Sequence, residues 1–90
     1  MGVKIKIHPF IRHIVNNQEI VEVEGKTVGQ CLDWLVNRFP ETRKWLFKKD
    51  GSLNELVDIY INGENAVPGE MAKAVQDGDL LDIVMMITGG

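Results

Sequence analysis

The chain has 90 residues, 44% of them hydrophobic and 26% charged, and 10 Lys and Arg against 13 Asp and Glu leave a net charge of −3. A chain this short buries roughly 60% of its surface on folding, enough for one sheet against one or two helices, which excludes a second core and argues against a deep enclosed substrate cavity. The acidic balance gives no footprint for a phosphate backbone, and no apolar run approaches the roughly 18 residues of a membrane span, so neither nucleic acid nor membrane is an expected partner.

Val3, Ile5 and Ile7 alternate with Lys4, Lys6 and His8, a two-residue period that predicts a strand ending at Pro9. The same short alternation lacks the apolar run of a signal peptide. With Cys31 as the single cysteine, a soluble protein of the reducing cytoplasm is the expectation. Residues 10–18 read as a loop. Residues 19–24 alternate again, Val21 and Val23 inward and Ile20, Glu22 and Glu24 outward. An antiparallel hairpin follows, with Lys4 and Lys6 expected across from Glu22 and Glu24.

At Thr27 the period changes. Val28, Cys31, Leu32, Leu35, Val36 and Phe39 recur at helical spacing, Thr27 and Gln30 form a capping box, and Pro40 closes the helix. Residues 41–47 predict a short second helix or turn that returns Trp45 and Leu46 or Phe47 to the core. Val57, Ile59 and Ile61 alternate with Asp58 and Tyr60, and Asn62-Gly63 supplies the positive φ angles of a tight hairpin. The return strand, 64–67, stops at Pro68-Gly69 and reads as a sheet edge. Residues 71–75 predict one helical turn, and Gln76-Asp77-Gly78-Asp79 a turn that launches the last strand, 80–87.

That last strand differs from the others. Leu81, Ile83, Met85 and Ile87 share one face, while the other holds Leu80, Val84 and Met86 beside one charge, Asp82. Apolar side chains on both faces predict a central strand, or one whose outer side a partner covers. Hairpin, helix, hairpin and long final strand make a two-layer α+β domain over residues 1–90. The strand ends in Ile87-Thr88-Gly89-Gly90. Two glycines lose more backbone entropy on ordering than any other pair, so a mobile tail is expected, with a reach of about 13 Å over four residues. A tail without Cβ atoms at its tip fits a channel that side chains would block. Its α-carboxylate would become an acylating group after attack on the α-phosphate of ATP held by another protein, and a sulfur nucleophile displacing AMP would leave a thiocarboxylate.

The segments Asp58-Ile59-Tyr60-Ile61-Asn62-Gly63-Glu64, Ala74-Val75-Gln76-Asp77-Gly78-Asp79 and Ile87-Thr88-Gly89-Gly90, with Phe39-Pro40 after the helix and Phe10-Ile11-Arg12 after the first strand, spread one likeness over essentially the whole chain. In this order they resemble the ubiquitin-like β-grasp sulfur carriers, the family of the small subunit of molybdopterin synthase and the thiamin-pathway sulfur carrier. The resemblance implies a β-grasp fold, a mixed four- to five-stranded sheet with one main helix on one face. It also implies a non-enzymatic role, in which Gly90, preceded by Gly89, is adenylated and loaded with sulfur for molybdopterin, thiamin or cysteine synthesis. The implied partners are an E1-like adenylating enzyme, which uses ATP and Mg²⁺, a sulfur-accepting synthase, and a sulfur donor such as a cysteine desulfurase or rhodanese. This chain would bind no cofactor of its own beyond the thiocarboxylate.

Two departures stand out. Met85-Met86-Ile87-Thr88 replaces the prolines common before the tail, and the segment 41–56 is longer than in the compact thiamin carriers, closer to the molybdopterin type or the carrier serving cysteine synthesis. Alternatives are a ubiquitin-like modifier joined to lysines through Gly90, and a β-grasp interaction module with an inert tail.

Ile20, Val84 and Met86, continued by Ile87 and Thr88, are the expected docking surface for the activating enzyme, with Asp77-Gly78-Asp79 at its rim. Cys31 lies on the apolar helix stripe and reads as a core residue. His8 and His13 have no companions at metal-ligand spacing, the glycines form no phosphate loop, and Ser52 has no positioned base.

Overall fold

The computed structural model describes residues 2–86. Five strands form one mixed sheet in the order β2-β1-β5-β3-β4: β1 is Val3–Lys6, β2 Ile20–Val23, β3 Val57–Ile61, β4 Glu64–Asn65 and β5 Leu80–Met85. The main helix α1, Val28–Arg38, packs on one face, and a single-turn helix α2, Arg43–Leu46, follows it. β5 is central, parallel to β1 and antiparallel to β3. That position explains its double apolar character: Leu81, Ile83 and Met85 are buried under the helical layer, and Leu80, Asp82 and Val84 on the other face are half-buried.

β1 and β2 form the expected antiparallel hairpin, with Lys4 opposite Glu22. Lys6 stands opposite Ile20 rather than Glu24: with Lys4 opposite Glu22, antiparallel pairing runs back along β2, and after Val23 the chain leaves the sheet through Gly25 toward α1. At Gly25 a Cβ would come within 2.9 Å of the Cys31 Sγ and 2.8 Å of its amide nitrogen, so only glycine lets the strand exit lie against the helix start. The helix begins as its sequence dictates: Thr27 Oγ1 accepts from the Gln30 amide at 3.1 Å, and Gln30 Oε1 accepts from the Lys26 amide at 2.8 Å. Val28, Cys31, Leu32, Leu35 and Val36 form its buried stripe.

Residues 10–18 are not a plain loop. A 3₁₀ helix, Pro9–Val15, buries Ile11 and Val15. Pro9 sits at its first turn, His8 Nδ1 accepts from the Phe10 amide at 3.1 Å, and the Arg12 guanidinium donates to the Ile7 carbonyl at 2.9 Å. Asn16 and Asn17 end it at positive φ. Downstream of α1, a 3₁₀ turn, Pro40–Thr42, leads into α2, which buries Leu46 and delivers Phe47 to the core edge. Asn62 and Gly63 take φ of 50° and 89° in the β3–β4 turn, and β4 is a two-residue edge. The helical turn expected at 71–75 is a 3₁₀ turn, Glu70–Ala72, after which Val28 donates to Lys73 and Val75 to Lys26, tying this segment to the start of α1.

Candidate functional site

The expected reactive group sits on Gly90, and Ile87, Thr88, Gly89 and Gly90 lie outside the described residues. What is described is the base from which those four residues depart. The Met86 amide donates to the Leu56 carbonyl at 2.8 Å, continuing the β3–β5 ladder one residue past Val57 opposite Met85. Leu56 and Met86 are therefore cross-strand neighbours on the open face of the sheet, 54% and 48% exposed. Val84, on the same face two residues earlier, stands opposite Asp58. Leu56, Val84 and Met86 together form an apolar patch at the end of the central strand.

Ile20 is also exposed on this face, at 46%, but it is not contiguous with the patch. It belongs to edge strand β2, two strands from β5, and its row across the sheet continues through Lys6 and Asp82 to Tyr60. Sequence reasoning did not single out Leu56. The signal was present: extending the β3 alternation back from Asp58 puts residue 56 on the outer face, where a leucine is the odd residue.

The loop Asp77-Gly78-Asp79 is not at the rim of this patch. It precedes β5 and so occupies the opposite end of the strand, seven residues and about 23 Å from Met86 at strand rise. There it is engaged inside the fold. The Asp79 carboxylate accepts from Asn62 Nδ2 at 3.0 Å and from the Gln76 amide at 2.9 Å, and these two bonds, the Asn62 one foremost, hold its pKa below the ordinary carboxylate value. Asn62 Oδ1 in turn accepts from the Leu80 amide, the Asp79 carbonyl from the Lys4 amide, and the Gly2 carbonyl from the Gly78 amide. This latch fixes the start of β5 to the β3–β4 turn and to β1.

Cys31 is fully buried in α1, and burial pushes its thiol pKa up, the opposite of what a sulfur nucleophile requires. His8 is used as a helix cap. Among the described residues no three His, Cys, Asp or Glu side chains gather as metal ligands, and no helix is long and apolar enough to cross a membrane.

Known proteins resemble this chain over most or all of its length. The sulfur carrier protein CysO of Mycobacterium tuberculosis is 29% identical over 93 residues, spanning all of both chains. Small archaeal modifier protein 1 of Haloferax volcanii is 38% identical over 71 residues, 78% of each. In the crystal structure of the Amycolatopsis orientalis BexX/CysO complex, a chain 28% identical to this one superposes with a TM-score of 0.88, covering 99% of this chain and 100% of that one. A model of the ThiS family matches residues 5–90, so that the match runs through both glycines, and with the β-grasp architecture in place the chain belongs to the ThiS family.

Proposed function

We propose that this chain is a sulfur carrier protein, a substrate of other enzymes rather than a catalyst. The α-carboxylate of Gly90 attacks the α-phosphorus of ATP in an activating enzyme and releases pyrophosphate. A sulfur nucleophile then displaces AMP from the acyl adenylate, and the resulting thiocarboxylate donates its sulfur in molybdopterin, thiamin or cysteine synthesis. ATP and Mg²⁺ belong to the activating partner, and a sulfur-accepting synthase completes the cycle. The observation that carries this reading is the central strand of the sheet ending at Met85, five residues before Gly90, with exposed Leu56 and Met86 and half-buried Val84 as its apolar base. The rigid body provides the address and the last residues the reactive atom. The sulfur carrier CysO, alike over its full length, supports the same reading.

Intact-mass analysis after incubation with ATP, a sulfide source and an extract of the source cells tests it. The carrier reading expects replacement of one oxygen by sulfur in the wild type and none after deletion of Gly90, with thermal stability unchanged. An unmodified wild-type mass would overturn it. The likeness to an archaeal modifier protein favours a second reading, conjugation of Gly90 to protein lysines. That reading expects high-mass adducts lost with the same deletion.

A further inference from the structure

We propose that the groove beside α2 is an electrostatic docking site for an acidic, partly apolar segment of the protein that receives the tail. The chain is acidic overall, yet Arg38, Arg43, Lys44, Lys48 and Lys49 supply five of its ten cations within twelve residues that hold one acid, Glu41; the remainder carries five cations against twelve carboxylates. The fold gathers four of them, and Glu41 with them, around an open groove of about 710 Å³, lined by Arg43, Lys44, Lys48 and Lys49 over a floor that includes Phe47 and Pro40. Lys48 pairs with Glu55 at 3.2 Å; among the described residues Arg43, Lys44 and Lys49 have no carboxylate within salt-bridge distance. Asp50, next in sequence, turns its carboxylate to the Ser52 hydroxyl and amide.

The frame is fixed. The Asn54 amide donates to the Leu46 carbonyl at 2.8 Å, the Lys48 amide to the Ser52 carbonyl at 2.7 Å, and Phe47 bridges Leu53. The strand that follows this frame begins at Val57, and just before it Leu56 pairs with Met86. The other lysines that share a face, Lys4 and Lys6 on the sheet, stand opposite Glu22 and Asp82 respectively. The groove is where this acidic chain offers an anionic partner a net attraction, four cations against Glu41 and the Glu55 that pairs with Lys48. Three of its four cations are lysines, which lack the bidentate fork suited to one phosphate, and an apolar floor fits side chains interleaved with carboxylates.

The identity of the partner rests on the carrier reading; the groove itself does not. ¹⁵N-labelled full-length chain is titrated with an acetylated Glu-Leu-Glu-Glu-Leu-Glu peptide, with its Gln-for-Glu counterpart and with inorganic phosphate. Saturable amide shifts confined to residues 40–51, weakened by salt, absent with the Gln peptide and lost in Lys44→Glu/Lys49→Glu, are expected. No shifts, shifts centred on Lys4 and Lys6, or equal shifts with phosphate would overturn the site. Lys44→Gln/Lys49→Gln, a milder variant, should show intermediate loss and guards against misfolding. With the activating enzyme, the charge-reversed pair should raise KM for the carrier about three- to tenfold at low salt with kcat unchanged; an unchanged KM would overturn the docking role. Failure of the wild type to be adenylated would retract the carrier reading alone, since the peptide titration needs no adenylation.

Discussion

The two sides of β5 are built from alternate residues of one strand and do different work. Leu81, Ile83 and Met85 are buried against α1 and the rest of the core, whereas Leu80, Asp82, Val84 and Met86 line a sheet face that no other element of the described chain covers. Its two ends differ as well. The start is latched through Asp79, Asn62 and Lys4, while the far end is held at Met86 by one bond to an exposed segment. On the proposed reading, one side holds the body rigid and the other is offered to a partner.

The sharpest break of the comparison is a pair of alanines on adjacent residues. Ile83→Ala empties a fully enclosed site and should cost about 2 to 5 kcal/mol in urea unfolding, while Val84→Ala on the open side should cost less than about 1 kcal/mol. Equal losses would mean that the two sides are not distinct. The next effect is on recognition. Met86→Glu should leave the unfolding midpoint within a few tenths of a kcal/mol of wild type and weaken binding to the activating enzyme severalfold, measured by calorimetry or competition; unchanged affinity would remove the Leu56, Val84 and Met86 patch from the docking surface.

The smallest effect sharpens the contrast between the ends. Because the folded-state pKa of Asp79 is lowered, its ionised form stabilises the fold above the ordinary carboxylate pKa, and that contribution is lost as pH falls through the lowered value. The melting temperature of Asp79→Asn should therefore lie below wild type at neutral pH, with the gap closing as pH falls below the ordinary carboxylate pKa. A gap independent of pH would assign the latch to shape rather than charge.

Much of this arrangement is legible before folding because it is local. The Thr27 and Gln30 cap, the α1 stripe, the Asn62-Gly63 turn and the alternation of β3 and β5 each depend on residues a few positions apart, where period and turn chemistry act directly. The 3₁₀ helix at Pro9–Val15 escaped notice because only Ile11 and Val15 mark its buried side, too few for a periodic signal, between a proline and two asparagines that read as loop. The Glu22 and Ile20 register escaped because a short hairpin with a long connection leaves its pairing to core packing.

For the site, the sequence by itself determined the Gly89-Gly90 pair, the helix and its cap, and an apolar last strand with two apolar faces, since covalent order and side-chain period suffice for these. Only the tertiary structure decided which outward residues are neighbours. It separates Ile20 from Val84 by strand β1, joins Leu56 to Met86 across a ladder, moves the Asp77-Gly78-Asp79 loop to the far end of β5 and gathers Arg43, Lys44, Lys48 and Lys49 around one groove. Surface adjacency is set by strand order and by how segments distant in sequence are laid side by side, and no local pattern carries that information.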